Sequence, residues 1–340
     1  MKPSLTQIYH YHDYFYLESG EDLAGLEIAY TTLGQLNADK SNVVWICHAL
    51  TANADAGDWW KGLVGPGYLF DPDKYFVVCA NILGSCYGTS GPLTINPRTA
   101  KPYFNEFPQM TIRDMVAAHD LLRVHLGIER IYLGIGGSLG GQQTMEWAIQ
   151  KPDLFVNLVL IATNARHSAW GIAFNESQRL AIMADPTWAK PSASAGKAGL
   201  KAARSIALLS YRNYETYVDR QSETSEEKMD DFRAASYQRY QGEKLVRRFN
   251  VISYLRISKA FDAHNIGRGR GGAAAALARI RARTLVVGIT TDQLFPPSEQ
   301  HFLARHIAGA GYAEINSSYG HDGFLVEHQK LTEILVDFLK

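Results

Sequence analysis

The chain has 340 residues, of which 46% are hydrophobic and 20% are charged. This composition is typical of a globular protein with a large core, and it excludes a largely disordered chain. The 34 basic side chains equal the 34 acidic ones, so no overall charge attracts the chain to nucleic acid or to an anionic membrane, and an anionic substrate has to be bound locally.

Targeting and redox signals are sparse. The N-terminal segment has no basic stretch leading into an apolar run, and no apolar run is long enough to span a bilayer, so we expect a cytosolic protein. The three cysteines, Cys47, Cys79 and Cys86, form no CxxC pair, which favours reduced thiols over disulfides. Cys47 and Cys79 lie in apolar runs, where a buried side chain is favoured over a nucleophile.

The first half of the sequence, up to residue 161, predicts strands that alternate with helices. An antiparallel hairpin is predicted from 14–17 and 26–30, and apolar strands are predicted at 43–47, 75–81, 131–135 and 156–161. Thr111 and Asp114 predict a capped helix start between the second and third of these strands. Strands rich in Val and Ile and separated by helices predict a mostly parallel sheet with helices on both faces, an α/β fold.

A more charged region interrupts this alternation from about 167 to 280. Helices are predicted there at 174–184, 199–209, 226–249 and 273–280, with no convincing strand. Strands resume at 284–288 and 313–315, and a closing helix is predicted at 328–339. We therefore expect a core domain made of 1–166 and 281–340, with an inserted helical lid domain at 167–280.

The strongest local motif is Gly136-Gly-Ser138-Leu-Gly140, which matches G-x-S-x-G. It follows a predicted strand and precedes a helix predicted at 139–150, which is the context of a nucleophile elbow. The glycines allow a sharp turn and keep neighbouring side chains away from the hydroxyl. The helix N-terminus favours a developing oxyanion, so Ser138 is the predicted nucleophile.

A glycine-rich phosphate loop is the alternative interpretation of this segment. Starting at Gly134 and Gly136, the third glycine of G-x-G-x-x-G would have to stand where the chain has Leu139, so the spacing does not match. A better formal match at 267–272 follows no predicted strand. A flexible basic loop is the favoured interpretation there.

A serine nucleophile needs a base, and the base needs a carboxylate. In an α/β-hydrolase fold the triad follows the chain order Ser, Asp or Glu, His. Asp292 comes directly after the strand predicted at 284–288, and His321 lies in a glycine-flanked loop between the last strand and the last helix. The other late histidines, His301, His306 and His328, fall in helical patterns. The predicted triad is Ser138, Asp292 and His321.

Backbone N–H groups are expected to stabilise the oxyanion. Leu139 follows the nucleophile, and Leu50 lies in the loop after the strand at 43–47, so their N–H groups are the predicted donors. His48 precedes the nucleophile and is expected to be a structural residue beneath the site. No metal-ligand cluster such as HxxEH occurs, and no metal is expected.

With these residues, the sequence closely resembles homoserine O-acetyltransferases of the α/β-hydrolase superfamily. The matching segments cover nearly the whole chain: 48–51, 81–92, 136–141, 239–244, 267–272 and 319–327. The resemblance implies a ping-pong reaction of methionine biosynthesis. Ser138 would take the acetyl group from acetyl-CoA, and the hydroxyl of L-homoserine, deprotonated by His321, would then attack the acyl-serine.

The resemblance also implies substrate contacts and an assembly. Arg204 would bind the homoserine carboxylate, Asp322 would bind its ammonium group, and Tyr211 would line the same pocket. A planar guanidinium suits a carboxylate and an aspartate suits an ammonium group. The inserted helices would form a lid and a homodimer interface, with acetyl-CoA as co-substrate and no permanently bound cofactor.

Three other functions remain open from the sequence. Related enzymes use succinyl-CoA as donor, or serine as acceptor. An esterase would let water deacylate Ser138, whereas a transferase must hold its acceptor and limit water access. The least favoured alternative is a binding module without catalysis.

Overall fold

A central sheet of eight strands organises the computed structural model, which describes residues 5–340. The strand order is β1-β2-β4-β3-β7-β8-β9-β10, and only the pairs β1–β2 and β2–β4 are antiparallel. A separate two-stranded ribbon is formed by β5 and β6. The mostly parallel sheet predicted from the sequence is confirmed. The strand bounds are β1 Gln7–Tyr16, β2 Asp22–Leu33, β3 Val43–Cys47, β4 Phe76–Ala80, β5 Ile95–Asn96, β6 Lys101–Pro102, β7 Ile131–Gly137, β8 Phe155–Ile161, β9 Arg283–Ile289 and β10 Gly311–Ile315.

Twelve helices accompany the sheet in the described chain. Their bounds are α1 Ala56–Trp59, α2 Ile112–His125, α3 Leu139–Gln150, α4 Ala169–Met183, α5 Lys197–Tyr211, α6 Tyr214–Gln221, α7 Arg233–Val246, α8 Val251–Asp262, α9 Ala273–Leu277, α10 Pro297–His306, α11 Gly323–Val326 and α12 His328–Phe338. At the start of α2, Thr111 and Asp114 form the predicted capping box. No described helix is long and apolar enough to cross a membrane.

Two apolar cores cover the two faces of the sheet. On β3, Val43 and Trp45 face one core, and Val44 and Ile46 face the other, because side chains alternate between the faces of a strand. The first core includes side chains of α2, α3 and α10. The second includes side chains of α1 and α12. Because both faces of the sheet are buried, the central strands are continuous apolar runs and do not alternate between apolar and polar residues.

The inserted region differs in detail from the sequence prediction. Six helices, α4 to α9, and no strand lie between β8 and β9 in the described chain. The helix predicted at 226–249 is wrong in its first turns, since α7 begins only at Arg233. Asp231 has a φ of 53°, which a helix cannot accommodate, and it closes a stretch with Glu226, Glu227 and Asp230 whose like charges disfavour a helix.

Two lid helices were not predicted, and α9 ends at Leu277, before the predicted end at 280. Helix α8 is capped by Asn250, whose side chain accepts hydrogen bonds from the N–H groups of Ile252 and Ser253. Helix α6 is capped in the same way by Asn213. Asparagine is a common N-cap, so both starts carried a sequence signal. The division into a core and a lid domain stays a prediction.

Sheet register brings four loops to one edge. Cys47 at the end of β3 pairs with Gly136 of β7, and Gly137 pairs with Ile161 at the end of β8. Ile289 and Ile315 pair at the ends of β9 and β10. The carboxyl ends of these parallel strands therefore lie together, and the loops that follow them can share one site.

Candidate active site

The turn between β7 and α3 holds Ser138 in a strained backbone conformation. Ser138 has a φ of 57° and a ψ of −126°, a region that side chains other than glycine rarely adopt. Its N–H donates to the Ile161 carbonyl at 3.0 Å, and its own carbonyl accepts from the Thr163 hydroxyl at 2.8 Å. The strain lies in the serine itself, whereas the sequence suggested that the glycines make the turn.

The glycines of the motif serve close packing instead. A Cβ atom on Gly140 would lie 2.0 Å from the Cys47 carbonyl oxygen. A Cβ atom on Gly136 would lie 2.4 Å from the Gly140 backbone. The absence of these side chains lets the start of α3 contact the end of β3, which brings Leu139 close to the loop that contains Leu50.

Behind the serine, the structure brings Asp292 and His321 into direct contact. The Nδ1 of His321 and the Oδ2 of Asp292 are 2.7 Å apart. The other carboxylate oxygen accepts from the N–H groups of Leu294 at 2.9 Å and Phe295 at 2.8 Å. Both carboxylate oxygens thus have partners, and the contact with Oδ2 orients the imidazole with its proton on Nδ1.

The surroundings of His321 raise its basicity. Burial by itself opposes the charged form, but the charge of Asp292, its hydrogen bond and the charge of Asp322 together raise the pKa of His321 above its ordinary value. His167 adds no positive charge, because burial lowers its pKa to about 3. A base of raised pKa is well suited to accept the proton of a serine hydroxyl.

One cavity of about 370 Å³ joins most of the predicted site. Ser138, His321 and the predicted substrate contacts all line it, as does Leu50; the substrate contacts are Arg204, Tyr211 and Asp322. Asp292 lies behind His321, and Leu139 is fully buried at the start of α3. Ser138 and His321 share the cavity without a hydrogen bond between them, and such bonds often tighten only when substrate binds.

The two predicted oxyanion donors are available. Among residues 5–340, neither the N–H of Leu50 nor that of Leu139 donates to another protein group. Leu139 begins α3, so the partial positive charge at the N-terminus of the helix strengthens the attraction of its N–H group for an anion. Both groups can therefore bind the negative charge that would develop on the carbonyl oxygen of an acyl group attacked by Ser138.

The charged groups of the cavity form a pattern that the sequence analysis did not predict. Asp322 pairs with Arg212 at 3.0 Å, and no sequence signal distinguishes Arg212 from a surface arginine. The Arg204 guanidinium lies 5.3 Å from the centre of the Tyr211 ring and has no carboxylate partner among the described residues. Lys244 and Arg248 also line the cavity.

The structure does not favour a cysteine nucleophile. Cys47 and Cys79 are buried, and burial raises the pKa of Cys47 to about 12 and also raises the pKa of Cys79, so neither thiol is reactive. Residues 5–340 contain no group of three side chains suited to a metal ion.

The glycine-rich segment at 267–272 is not a phosphate loop between a strand and a helix, because it follows α8. Its Arg270 binds both carboxylate oxygens of Glu146, at 2.5 and 2.8 Å. Glu146 belongs to α3, the helix that starts at the nucleophile. The segment therefore attaches the end of the inserted region to the core.

Comparisons with known proteins agree with this architecture. A family model of the alpha/beta hydrolase fold matches residues 42–327. A homoserine O-acetyltransferase of Cyclobacterium marinum is 50% identical, over 98% of this chain and 94% of that protein. The crystal structure of the homoserine O-acetyltransferase from Bacillus anthracis has a TM-score of 0.91 at 24% identity, over 100% and 98% of the two chains. The acetyl esterase MekB has a TM-score of 0.86 at 27% identity, over 98% and 96%.

Asp292→Asn is expected to lower kcat for p-nitrophenyl acetate by roughly 10⁴-fold, because an amide would favour the wrong tautomer of the base. The asparagine oxygen can still accept from Leu294 and Phe295, so the fold should persist. Asp120→Asn is the control, since Asp120 lies in an ion pair with Arg123 on α2. Equal rates for the two variants would show that Asp292 does not orient the base.

For the same ester, kcat/KM is expected to fall on the acid side with a midpoint above pH 6.5, the ordinary pKa of histidine. His321 must be neutral to accept a proton, its pKa is raised, and activity is lost as the pH falls through that value. Asp322→Asn removes one of the charges that raise this pKa and should move the midpoint to lower pH. A midpoint at or below pH 6.5 in the unmodified protein would contradict the assignment of the base.

Proposed function

The chain belongs to the homoserine O-acetyltransferase family of the α/β-hydrolase fold, and from that membership we propose that it transfers the acetyl group of acetyl-CoA to the hydroxyl of L-homoserine. The protein is an acyltransferase, and the reaction belongs to methionine biosynthesis. The acceptor assignment depends on one cavity that is lined by Ser138, by the Asp322 carboxylate and by the Arg204 guanidinium, which has no carboxylate partner in the described chain.

In the first half-reaction, the Ser138 oxygen attacks the thioester carbon while His321 accepts the hydroxyl proton. The N–H groups of Leu50 and Leu139 bind the oxygen of the tetrahedral intermediate. The carbon–sulfur bond then breaks, CoA leaves as its thiol with the proton held by His321, and Ser138 is acetylated. Asp292 stabilises the imidazolium throughout.

In the second half-reaction, the homoserine hydroxyl gives its proton to His321 and attacks the acetyl carbon. The same two N–H groups bind the second oxyanion. The ester bond to Ser138 breaks, the serine oxygen recovers the proton from His321, and O-acetylhomoserine leaves. The enzyme returns to its starting state, so no cofactor is consumed or held between turnovers.

Charge complementarity supports an amino acid as the acceptor. Arg204 can bind a carboxylate through two parallel hydrogen bonds, and the Tyr211 ring beside it limits the positions that the guanidinium can take. Asp322 can bind the ammonium group, while its pair with Arg212 fixes the carboxylate at the cavity wall. We assign these three residues, Arg204, Tyr211 and Asp322, to acceptor binding.

The rim of the same cavity suits an anionic acyl donor. Lys244 and Arg248 line it from α7 and the turn that follows. Phosphate groups bind well to such cations, and the nucleotide end of acetyl-CoA carries phosphates. We propose that these side chains hold that end of the donor while its thioester reaches Ser138.

An esterase is the second candidate, because the fold also matches that of an acetyl esterase. Water would then replace homoserine in the second half-reaction. A hydrolase of simple esters does not need a half-buried guanidinium without a carboxylate partner in the described chain, since a transferase acceptor with a carboxylate would supply that partner. Arg204 therefore favours transfer over hydrolysis.

The homodimer and the cytosolic location are also proposals. Exposed apolar side chains on α4, among them Trp170, Leu180 and Met183, support an interface between lids of two copies. The molecular mass in solution tests this assembly.

Protein mixed with acetyl-CoA alone is expected to gain one acetyl group on Ser138 in peptide mass spectrometry. Ser138→Ala should gain none and keep its fold, as judged by circular dichroism. Steady-state rates with acetyl-CoA or succinyl-CoA, each with homoserine or serine, identify the substrates. Absence of an adduct, or a preference for succinyl-CoA or for serine, would refute the proposed reaction.

Arg204→Leu is expected to raise the KM for homoserine by roughly 10- to 100-fold, because a charge-assisted hydrogen bond contributes about 1.5–3 kcal/mol. Acetylation of Ser138 by acetyl-CoA should keep its rate. Arg247→Leu is the matched control, since Arg247 is exposed and does not line the cavity. Unchanged homoserine kinetics together with fast ester hydrolysis would favour the esterase.

A further inference from the structure

A fully buried amide connects the two segments that carry the proposed oxyanion donors. The Nε2 of Gln143, on the second turn of α3, donates to the carbonyl of His48 at 3.2 Å and to the carbonyl of Leu139 at 3.1 Å. Leu139 provides one of the donor N–H groups, and His48 lies two residues before Leu50, which provides the other. The side chain of Gln143 therefore connects the loop that follows β3 with the start of α3.

The orientation of this amide is fixed by its third partner. The Gln143 carbonyl oxygen lies 2.9 Å from the Nε2 of His119. Burial lowers the pKa of His119 to about 4, so the ring is neutral. With its proton on Nε2 it donates to Gln143, and its Nδ1 is left without a partner among the described residues, as expected for a bare acceptor nitrogen.

Aromatic packing holds His119 in place. Its ring stacks on Trp147 with centroids 5.9 Å apart and contacts the edge of Trp45 at 6.0 Å. Both tryptophans are fully buried. Because two carbonyl oxygens can only accept hydrogen bonds, the Gln143 nitrogen must face them and its oxygen must face His119.

The Leu50 loop is anchored on its other side by His48. The His48 Nε2 accepts from the N–H of Ile82 at 3.2 Å, and its Nδ1 lies 2.9 Å from the Ala49 carbonyl oxygen. The loop is thus held through His48 by the segment that follows β4, and through Gln143 by α3.

We propose that Gln143 is a positioning residue that sets the spacing between the Leu50 and Leu139 N–H groups. The inference rests on the proposed acyl transfer, because the spacing matters only if both N–H groups bind one oxyanion. Loss of a single oxyanion donor costs roughly 10²- to 10³-fold in kcat, and a displaced donor should cost less. Binding of homoserine depends on the separate groups Arg204 and Asp322 and should not change.

The test is Gln143→Met, which keeps the volume and the helix propensity but removes every hydrogen bond. Gln142→Met is the matched control: Gln142 is the preceding residue, is equally buried, and donates to Asn164 instead. We expect acetylation and deacetylation rates, measured separately by rapid quench, to fall about 10- to 100-fold in Gln143→Met. The dissociation constant of homoserine should stay within about twofold.

A second measurement separates positioning from loss of structure. The Ser138 oxygen adds to the carbonyl carbon of a trifluoromethyl ketone, and the hydroxyl proton passes to His321. The π electrons of the C=O bond move to the carbonyl oxygen, which becomes an oxyanion. Its inhibition constant should rise in proportion to the loss of kcat/KM in Gln143→Met. A general disturbance of the fold would instead weaken homoserine and the ketone alike.

His119→Phe provides a further variant if Gln143→Met does not fold, because phenylalanine keeps an aromatic ring next to Trp45 and Trp147. It frees the Gln143 oxygen and should lower both rates by a smaller factor, again without an effect on homoserine affinity. The inference is overturned if either folded variant acylates and deacylates within twofold of Gln142→Met. This outcome can be told apart from a failure of the proposed function, because in that case the unmodified protein would form no acetyl-serine.

Discussion

The backbone conformation of Ser138 is the constraint on which the site depends. A positive φ at a residue with a side chain costs about 1–3 kcal/mol, and the surrounding structure must compensate for it. Ser138 is held by Ile161 and Thr163 at the end of β8 and just beyond it, while Gly140 allows α3 to contact the end of β3. The same contacts that force the turn also project the hydroxyl into the cavity and bring the Leu139 N–H next to the Leu50 loop. The proposed nucleophile and oxyanion donors thus depend on one tight turn, next to which Gln143 donates hydrogen bonds to the carbonyls of His48 and Leu139.

Two carboxylates near His321 have different surroundings and therefore different uses. Asp292 is enclosed: one oxygen accepts from two N–H groups and the other faces the imidazole. Asp322 lies at the cavity wall, where Arg212 neutralises part of its charge. The first can only orient and stabilise the base, whereas the second is open to a ligand. Arg204 has no carboxylate partner in the described chain, and together with Asp322 it gives the proposed acceptor site one positive and one negative end, which suits a zwitterionic amino acid.

The sequence predicted those parts of the structure that local patterns determine. The apolar runs predicted β3, β4 and β7 to β10 to within about two residues. The hairpin predicted at 14–17 and 26–30 was too short, since β1 begins at Gln7 and β2 extends from Asp22 to Leu33. Most side chains of β1 are exposed, so that strand has no continuous apolar run. The G-x-S-x-G motif predicted the elbow, and chain order indicated Asp292 and His321. Partners that meet only in the folded chain could not be predicted, such as Arg212 with Asp322, or His119 with Gln143. The helix starting at Arg233 was predicted too early because its polar surface pattern continues into the acidic segment before it. A left-handed Asp231 leaves little trace in composition.

The ion pair between Arg270 and Glu146 has a consequence for any exchange of the inserted region. Arg270 lies at the end of that region, and Glu146 lies two turns into α3. Glu146 is almost completely enclosed, and its charge is shared between Arg270 and Arg113 of α2. An inserted region without a matching cation would leave Arg113 as the remaining arginine beside a buried carboxylate, which weakens the compensation of that charge. Exchange of the inserted region would therefore also alter the surroundings of the helix that begins at Ser138.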